Sequence, residues 1–322
     1  MKTRQRLIAA ALCCAAGLGA PSMAYAIDEV PDNLVNLTLD PELLADVQEA
    51  LPESRNVDSS FLNPGYDPNV RLSEDSQLAI TFIDEGAGYR NSLGWFSFED
   101  NAFDGLSHGA IDLNGSGNIS LSELDALSGV STGLVFPNAS RLGGGGQLLA
   151  GDTAVIGGGT ASLADDGSLF MEGGTIFEAG SNIGFFVAAN AWNGRGVQGV
   201  DQWGDPNVYY SVDFLNPEAS ADSVFGDTSD YSRHVAMMFA DTGKDEIIMG
   251  FEDLNRLGNS DEDFNDAVFL VRSSPEQAIS GSQIAVHSAP APSLGGGLGT
   301  IAMGSLLSVG FIRRRTSTQK EA

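Results

Sequence analysis

The hydrophobic and polar positions along this chain fall into short runs rather than long amphipathic stripes. Between residue 76 and residue 272 the apolar runs are Gln77–Ile83, Gly94–Phe98, Thr153–Ile156, Ser168–Met171, Ile183–Ala189, Tyr209–Phe214, His234–Ala240, Glu246–Phe251 and Ala267–Val271. Each is a few residues long, rich in β-branched and aromatic side chains, and bounded by Gly, Asn or Asp. No long helical periodicity interrupts the series after residue 130. The pattern predicts a mainly β body, an antiparallel β-sandwich of jelly-roll type. A small helical insertion is expected at 99–130. One helix is predicted in the acidic lead-in at 27–75. Asp40 is placed to cap it, Pro41 suits its first turn, and Leu43, Leu44, Val47 and Leu51 form one stripe before Pro52 ends it.

The two ends depart from this pattern. Lys2, Arg4 and Arg6 precede an apolar run from Leu7 to Leu18, and Ala24-Tyr25-Ala26 follows as a small-x-small cleavage pattern, so residues 1–26 read as a secretory signal peptide. Residues 273–293 have the Ser, Gly and Pro content of a linker. From Leu294 to Ile312 there are nineteen residues without a charge, followed by Arg313, Arg314 and Arg315. That length just spans a bilayer core, and the arginines would stay on the cytoplasmic side. The arrangement resembles the PEP-CTERM class of C-terminal sorting signals, although Ala289-Pro290-Ala291-Pro292-Ser293 stands where Pro-Glu-Pro is usual. The resemblance implies a membrane sorting protease as a partner. A lasting anchor through 294–312 is the alternative. An exported protein at the cell surface or outside the cell is expected on either view.

Charge changes the picture further. Between Ile27 and Ala289 there are 42 acidic residues against 9 basic ones, a formal net charge of −33, and both cysteines lie within the first 26 residues. Such a surface repels nucleic acid and attracts cations. A chain bound for an oxidising compartment without disulfides needs another kind of cross-link, and Ca²⁺ held by loop oxygens would supply it.

Two segments offer that chemistry. Asp112-Leu-Asn-Gly-Ser-Gly-Asn-Ile-Ser-Leu-Ser-Glu123 follows the twelve-residue EF-hand loop position by position. Asp112, Asn114 and Ser116 supply oxygens at positions 1, 3 and 5, Gly117 allows the turn at 6, and Asn118 offers its carbonyl at 7. Ser120 stands at 9 and Glu123 closes the loop at 12. With only two charged ligands and no partner hand, weak binding is expected, on the order of 10⁻⁴–10⁻³ M. The second segment is Asn259-Ser-Asp-Glu-Asp-Phe-Asn-Asp266. Asp261, Asp263 and Asn265 alternate there, and Glu252, Asp253 and Asp266 could close around the same point. It lacks a glycine at the turn, and a solvated acidic loop is the competing reading.

The stretch at His234, "GFEDL" at Gly250–Leu254 and "DEDFNDAVFLV" from Asp261 resemble a family of exported bacterial proteins known as domain of unknown function 4114. "LVFPNAS" at Leu134–Ser140, "GGGGQLLAGDT" at Gly143–Thr153 and "IGFFVAANAW" at Ile183–Trp192 extend the likeness over most of 78–271. What the resemblance implies is a β-rich extracellular module, with no established enzyme activity.

Catalytic signatures are scarce. The only histidines are His108, His234 and His287, and no phosphate loop occurs. His234, inside an apolar strand, suits a structural hydrogen bond better than general-base work. A carboxylate pair for glycoside hydrolysis cannot be picked out by sequence among so many acids. Trp192, Trp203, Tyr209 and Tyr210 either fill the sandwich core or form a platform for sugar. The expected protein is therefore a non-catalytic, calcium-binding surface or matrix protein. A calcium-dependent lectin for surface polysaccharide is the alternative.

Overall fold

The structure is a computed structural model. It describes residues 28–164, 168–198, 208–219, 231–258 and 260–287. Residues 1–26, expected as a signal peptide, together with Trp203, Asn259 and the stretch 294–312 lie outside the described residues, and among those described no helix is long and apolar enough to cross a membrane.

The chain is mainly β, built from antiparallel sheets with few helices. A seven-stranded sheet runs in the order β1 (Val35–Asn36), β6 (Asp152–Val155), β3 (Gln77–Asp84), β13 (Ala267–Ser274), β12 (Glu246–Phe251), β11 (Val235–Phe239), β14 (Ala285–Val286). Within it β11, β12 and β13 form a meander, and only the β11–β14 pair is parallel. A five-stranded sheet has the order β10 (Val208–Tyr210), β9 (Asn182–Ala188), β4 (Ser92–Phe98), β5 (Val130–Phe136), with β2 (Val70–Arg71) also paired to β9. A separate ribbon joins β7 (Thr160–Leu163) to β8 (Leu169–Glu172).

The two larger sheets share one core. Leu78, Ile80 and Phe82 of β3 and Phe269 and Val271 of β13 meet Leu93 and Trp95 of β4 and Phe185 and Val187 of β9. Phe136 of β5 stacks on Phe269 with ring centres 5.9 Å apart. Both outer faces are covered as well, which is why the strands read as continuous apolar runs rather than an alternation. Over the seven-stranded sheet lies α1 (Pro41–Ala50), with Leu43, Val47 and Leu51 against Ala236, Met238, Ile248 and Leu270. Asp40 caps this helix by accepting from the Glu42 amide at 2.8 Å, and Pro41 stands in its first turn. Over the five-stranded sheet lies the insertion between β4 and β5, where Ile111, Ile119 and Leu124 pack on Phe96, Phe186 and Tyr210.

Close strand packing explains two glycines. Gly94 pairs with Phe186, and Phe96 pairs with Gly184. A Cβ on Gly94 would stand 2.0 Å from Phe186 Cζ, and one on Gly184 would stand 2.2 Å from Phe96 Cζ. Each phenyl ring lies across the bare backbone of the facing strand, so any side chain there would displace a buried ring.

The structure redraws two expected boundaries. The lead-in contributes β1 to one sheet and β2 to the other. The stretch expected as a linker from residue 273 is packed as far as His287. Ala278 and Ile279 are fully buried, and β14 pairs with β11. The apolar residues Ala278, Ile279, Ile284 and Ala285, spaced among Ser and Gly, find room at the sheet edge, and burial outweighs the loop-like composition.

Candidate metal centre

The first loop is built between two short helices, α2 (His108–Ile111) and α3 (Leu121–Asp125). Gly115 and Gly117 take φ of +68° and +84°, the left-handed backbone that the turn requires. Asp112 turns inward, and its two oxygens accept from the amides of Ser116 at 3.0 Å and Gly117 at 2.8 Å. Asn114 Oδ1 accepts from the Ser116 amide, and the Ser116 hydroxyl donates to the Asn118 carbonyl at 2.7 Å. Glu123 reaches back to accept from the amides of Asn114 and Ser120 at 3.1 and 2.9 Å. With Ser120 it forms a reciprocal capping box on α3. Ile119, fully buried, pins the loop to the sheet, and Tyr210 Oη donates to its carbonyl at 2.8 Å. The first and twelfth residues thus face the same enclosed turn, and both carboxylates are held by loop donors.

The second site is built differently. β12 and β13 pair until Phe251 meets Ala267, so the residues just beyond that pair stand opposite one another. Glu252 and Asp253 leave one strand where Asp266 enters the other. The Asp266 amide donates to the Phe251 carbonyl, and the Asp253 amide donates to Asp266 Oδ2 at 2.9 Å. Between them the chain curls through Glu262 and Phe264, which take φ of +63° and +57° without being glycine. Such backbone is strained and persists only where its surroundings fix it. Phe264 is fixed by complete burial, and Glu262 by its ion pair with Arg256, N to O 2.5 Å. The curl carries Asp261 and Asp263 back over the strand ends.

The result is two sets of converging carboxylates. Glu252, Asp261 and Asp263 each bring an oxygen within 4.8 Å of the others, and so do Glu252, Asp253 and Asp266. Glu252, Asp253 and Asp263 are buried, whereas Asp261 is exposed. Burial, then the charges of Asp261 and Asp253, pushes Glu252 up to about 7. Burial and Asp261 push Asp253 up to about 6, against a hydrogen bond from Asn91 Nδ2 at 2.6 Å. Burial and Asp253 push Asp266 up to about 9. Burial also raises Asp263, which accepts from the amides of Ser54 and Asn265 at 2.8 and 3.2 Å. Oxygen ligands crowded at this density suit a hard divalent cation.

Asn265 points elsewhere. Its side-chain amide donates to Glu53 Oε2 at 2.9 Å, tying this loop to the lead-in. Glu85, at the end of β3, is a neighbour that residue spacing did not bring to notice. It is 1 % exposed, its Oε1 has no hydrogen-bond partner, and burial raises its pKa, with Asp253 adding repulsion. Its place is set by the β3–β13 pairing, which no local motif announces. His234 supports the site from below: Nδ1 lies 2.9 Å from the Glu252 carbonyl and the ring stacks on Tyr209 with centres 4.0 Å apart. Trp192, Tyr209 and Tyr210 are all buried, so these rings fill the interior and offer no sugar platform.

The family model of a domain of unknown function, DUF4114, matches residues 177–274. The match takes in β9 to β13 and all five converging carboxylates, and it leaves out the loop at 112–123 and Glu85. It is narrower than the likeness expected from the motifs, which reached back to residue 78. No curated protein and no solved structure matches the chain.

Proposed function

We propose that this is an exported, non-catalytic calcium-binding protein of the cell surface or extracellular matrix, with its main metal centre at the β12–β13 end. The observation that carries the reading is the convergence of Glu252 with Asp261 and Asp263 on one side and with Asp253 and Asp266 on the other. Buried carboxylates at that spacing repel one another unless protons or a cation intervene. Six to eight oxygens at 2.3–2.6 Å are what Ca²⁺ accepts, whereas Mg²⁺ demands a tighter octahedron and gives up its water reluctantly. The loop from Asp112 to Glu123 would be a second, weaker site with a structural role. Export is supported by the basic–apolar–small pattern of residues 1–26 and the uncharged stretch before Arg313. A binding role rather than catalysis is supported by the scarcity of histidine and by the confinement of both cysteines to residues 1–26.

Calorimetric titration of the exported chain with CaCl₂, repeated with MgCl₂, tests the reading. Heat of binding and a rise in melting temperature with calcium are expected, with a weaker response to magnesium. The absence of both heat and a thermal shift at millimolar calcium would overturn the metal role. Mass spectrometry of the surface protein that still finds Arg313–Ala322 would show anchoring in place of tail removal.

A further inference from the structure

We infer that the cleft between α1 and the end of β3 binds an aliphatic α-amino acid, held by its ammonium, its carboxylate and its side chain. None of the converging carboxylates lines this cleft, so the inference goes beyond the calcium reading.

The cleft measures about 630 Å³, a size in which proteins hold small molecules. Part of its lining is apolar and buried, from Val47, Leu51, Ile83 and Val268. Every apolar side chain there is aliphatic, which suits a branched hydrocarbon chain.

The rest of the lining carries acceptors and positive charge side by side. Glu85 is 1 % exposed. Its Oε2 accepts from the Arg141 amide at 3.3 Å, and its Oε1 has no hydrogen-bond partner among the described residues. A buried carboxylate oxygen without a donor is costly, and an ammonium group supplies both a donor and a positive charge. Asn265, turned away from the metal centre, adds a second acceptor. Its Nδ2 is spent on Glu53, whereas no donor among the described residues reaches its Oδ1. Gly86 keeps that oxygen uncovered. Its φ is not left-handed, so the backbone does not require glycine there. A Cβ at Gly86 would stand 2.2 Å from Asn265 Oδ1 and 2.9 Å from Glu53 Oε2.

Arg141 completes the set. Its Nε lies 4.0 Å from Glu85 Oε2, and its largely exposed guanidinium makes one long hydrogen bond, 3.4 Å from Nη1 to Asp84. Much of that fork is left for a carboxylate, which guanidinium groups bind in pairs of hydrogen bonds. Opposite charges this close match an ammonium and a carboxylate carried on one carbon atom. The aliphatic lining then takes the side chain.

Isothermal titration of the full chain with L-leucine tests the site, alongside N-acetyl-leucine, leucine amide and glycine. Leucine should bind. The other three lack the ammonium, the carboxylate or the side chain, and each should bind at least about tenfold more weakly. Arg141→Gln should weaken leucine about tenfold and erase its preference over the amide. That side chain is largely exposed, so the fold should be kept. Glu85→Gln should erase the preference over N-acetyl-leucine, with circular dichroism reporting the fold; if this variant unfolds, Arg141→Gln decides. No binding of leucine at millimolar concentration would overturn the proposal. So would equal affinity for leucine and its blocked forms, or a preference over the amide that survives Arg141→Gln. Glycine binding as tightly as leucine would overturn the role of the aliphatic lining.

Discussion

The two acidic loops of this protein reach similar chemistry by opposite routes. From Asp112 to Glu123 every candidate ligand lies within twelve residues, and the turn is made by glycines at φ +68° and +84°. At the β12–β13 end the candidate ligands come from two strand ends and a curled connection, and the turn passes through Glu262 and Phe264 at positive φ without glycine. The first loop satisfies its carboxylates internally, with amides and a serine hydroxyl. The second also gives its carboxylates donors, yet crowds them together, with burial and mutual repulsion raising three of them to about 6, 7 and 9. A loop that closes on its own donors needs a cation least. A loop that crowds acids in the interior needs one most.

The sharpest way to break this contrast is to remove what holds the second loop in its curl. Phe264→Ala should destabilise the chain by about 3–5 kcal/mol, because a fully buried aromatic side chain is lost. It should also weaken calcium binding at Glu252 while leaving the first loop unaffected, which urea denaturation and titration would show together. Next in size is calcium itself. At a concentration a hundredfold above its Kd, one bound ion stabilises by about 2.7 kcal/mol, roughly 5–10 °C in melting temperature for a body of this size. Scanning calorimetry with calcium and with EGTA reads this directly, and Asp266→Asn should remove much of the difference.

Acidity sharpens the comparison at a third level. Glu252, Asp253 and Asp266 have folded pKa values above their ordinary ones, so the folded metal-free chain binds protons more tightly than the unfolded chain does. Stability without calcium should therefore fall as pH rises from the ordinary carboxylate range, near 4, toward about 9. Added calcium should oppose that fall, and its thermal shift should be larger at pH 8 than at pH 5. Melting curves across pH with and without EGTA would check both signs. The smallest effect belongs to the first loop. Glu123→Ala removes two amide contacts, one of them its half of the capping box, an expected cost of about 1 kcal/mol. It should leave calcium binding at the hairpin end unchanged.

How much of this was legible in the sequence follows the same division between local and distant. The α1 helix, with its Asp40 cap and Pro41, and strands such as Glu246–Phe251 stand where periodicity and turn residues place them. β5 went unread because Ser131, Thr132 and Gly133 dilute its apolar content, and Gly133 is small because the Trp95 ring lies where its Cβ would be. The twelve-residue loop could be aligned to a template with no knowledge of the fold. Asp261, Asp263 and Asp266 were visible as acids, and Glu252 and Asp253 as possible partners. Their grouping depended on the strand register that sets Phe251 against Ala267. Asn265 was turned away by Glu53, more than two hundred positions earlier in the chain, a contact no spacing rule contains.

The pairing of β3 with β13 bears on how the chain reaches its final state. Ile80 waits for Val271, and the Ser54 amide waits for Asp263. A nascent chain therefore has no bed for its first helix, and no central neighbour for β3, until almost the whole body has emerged. Contacts that join distant parts of a sequence form slowly. Removing the last two strands of the meander would accordingly take from β3 its central neighbour and from α1 part of its bed as surely as it removes the acidic site.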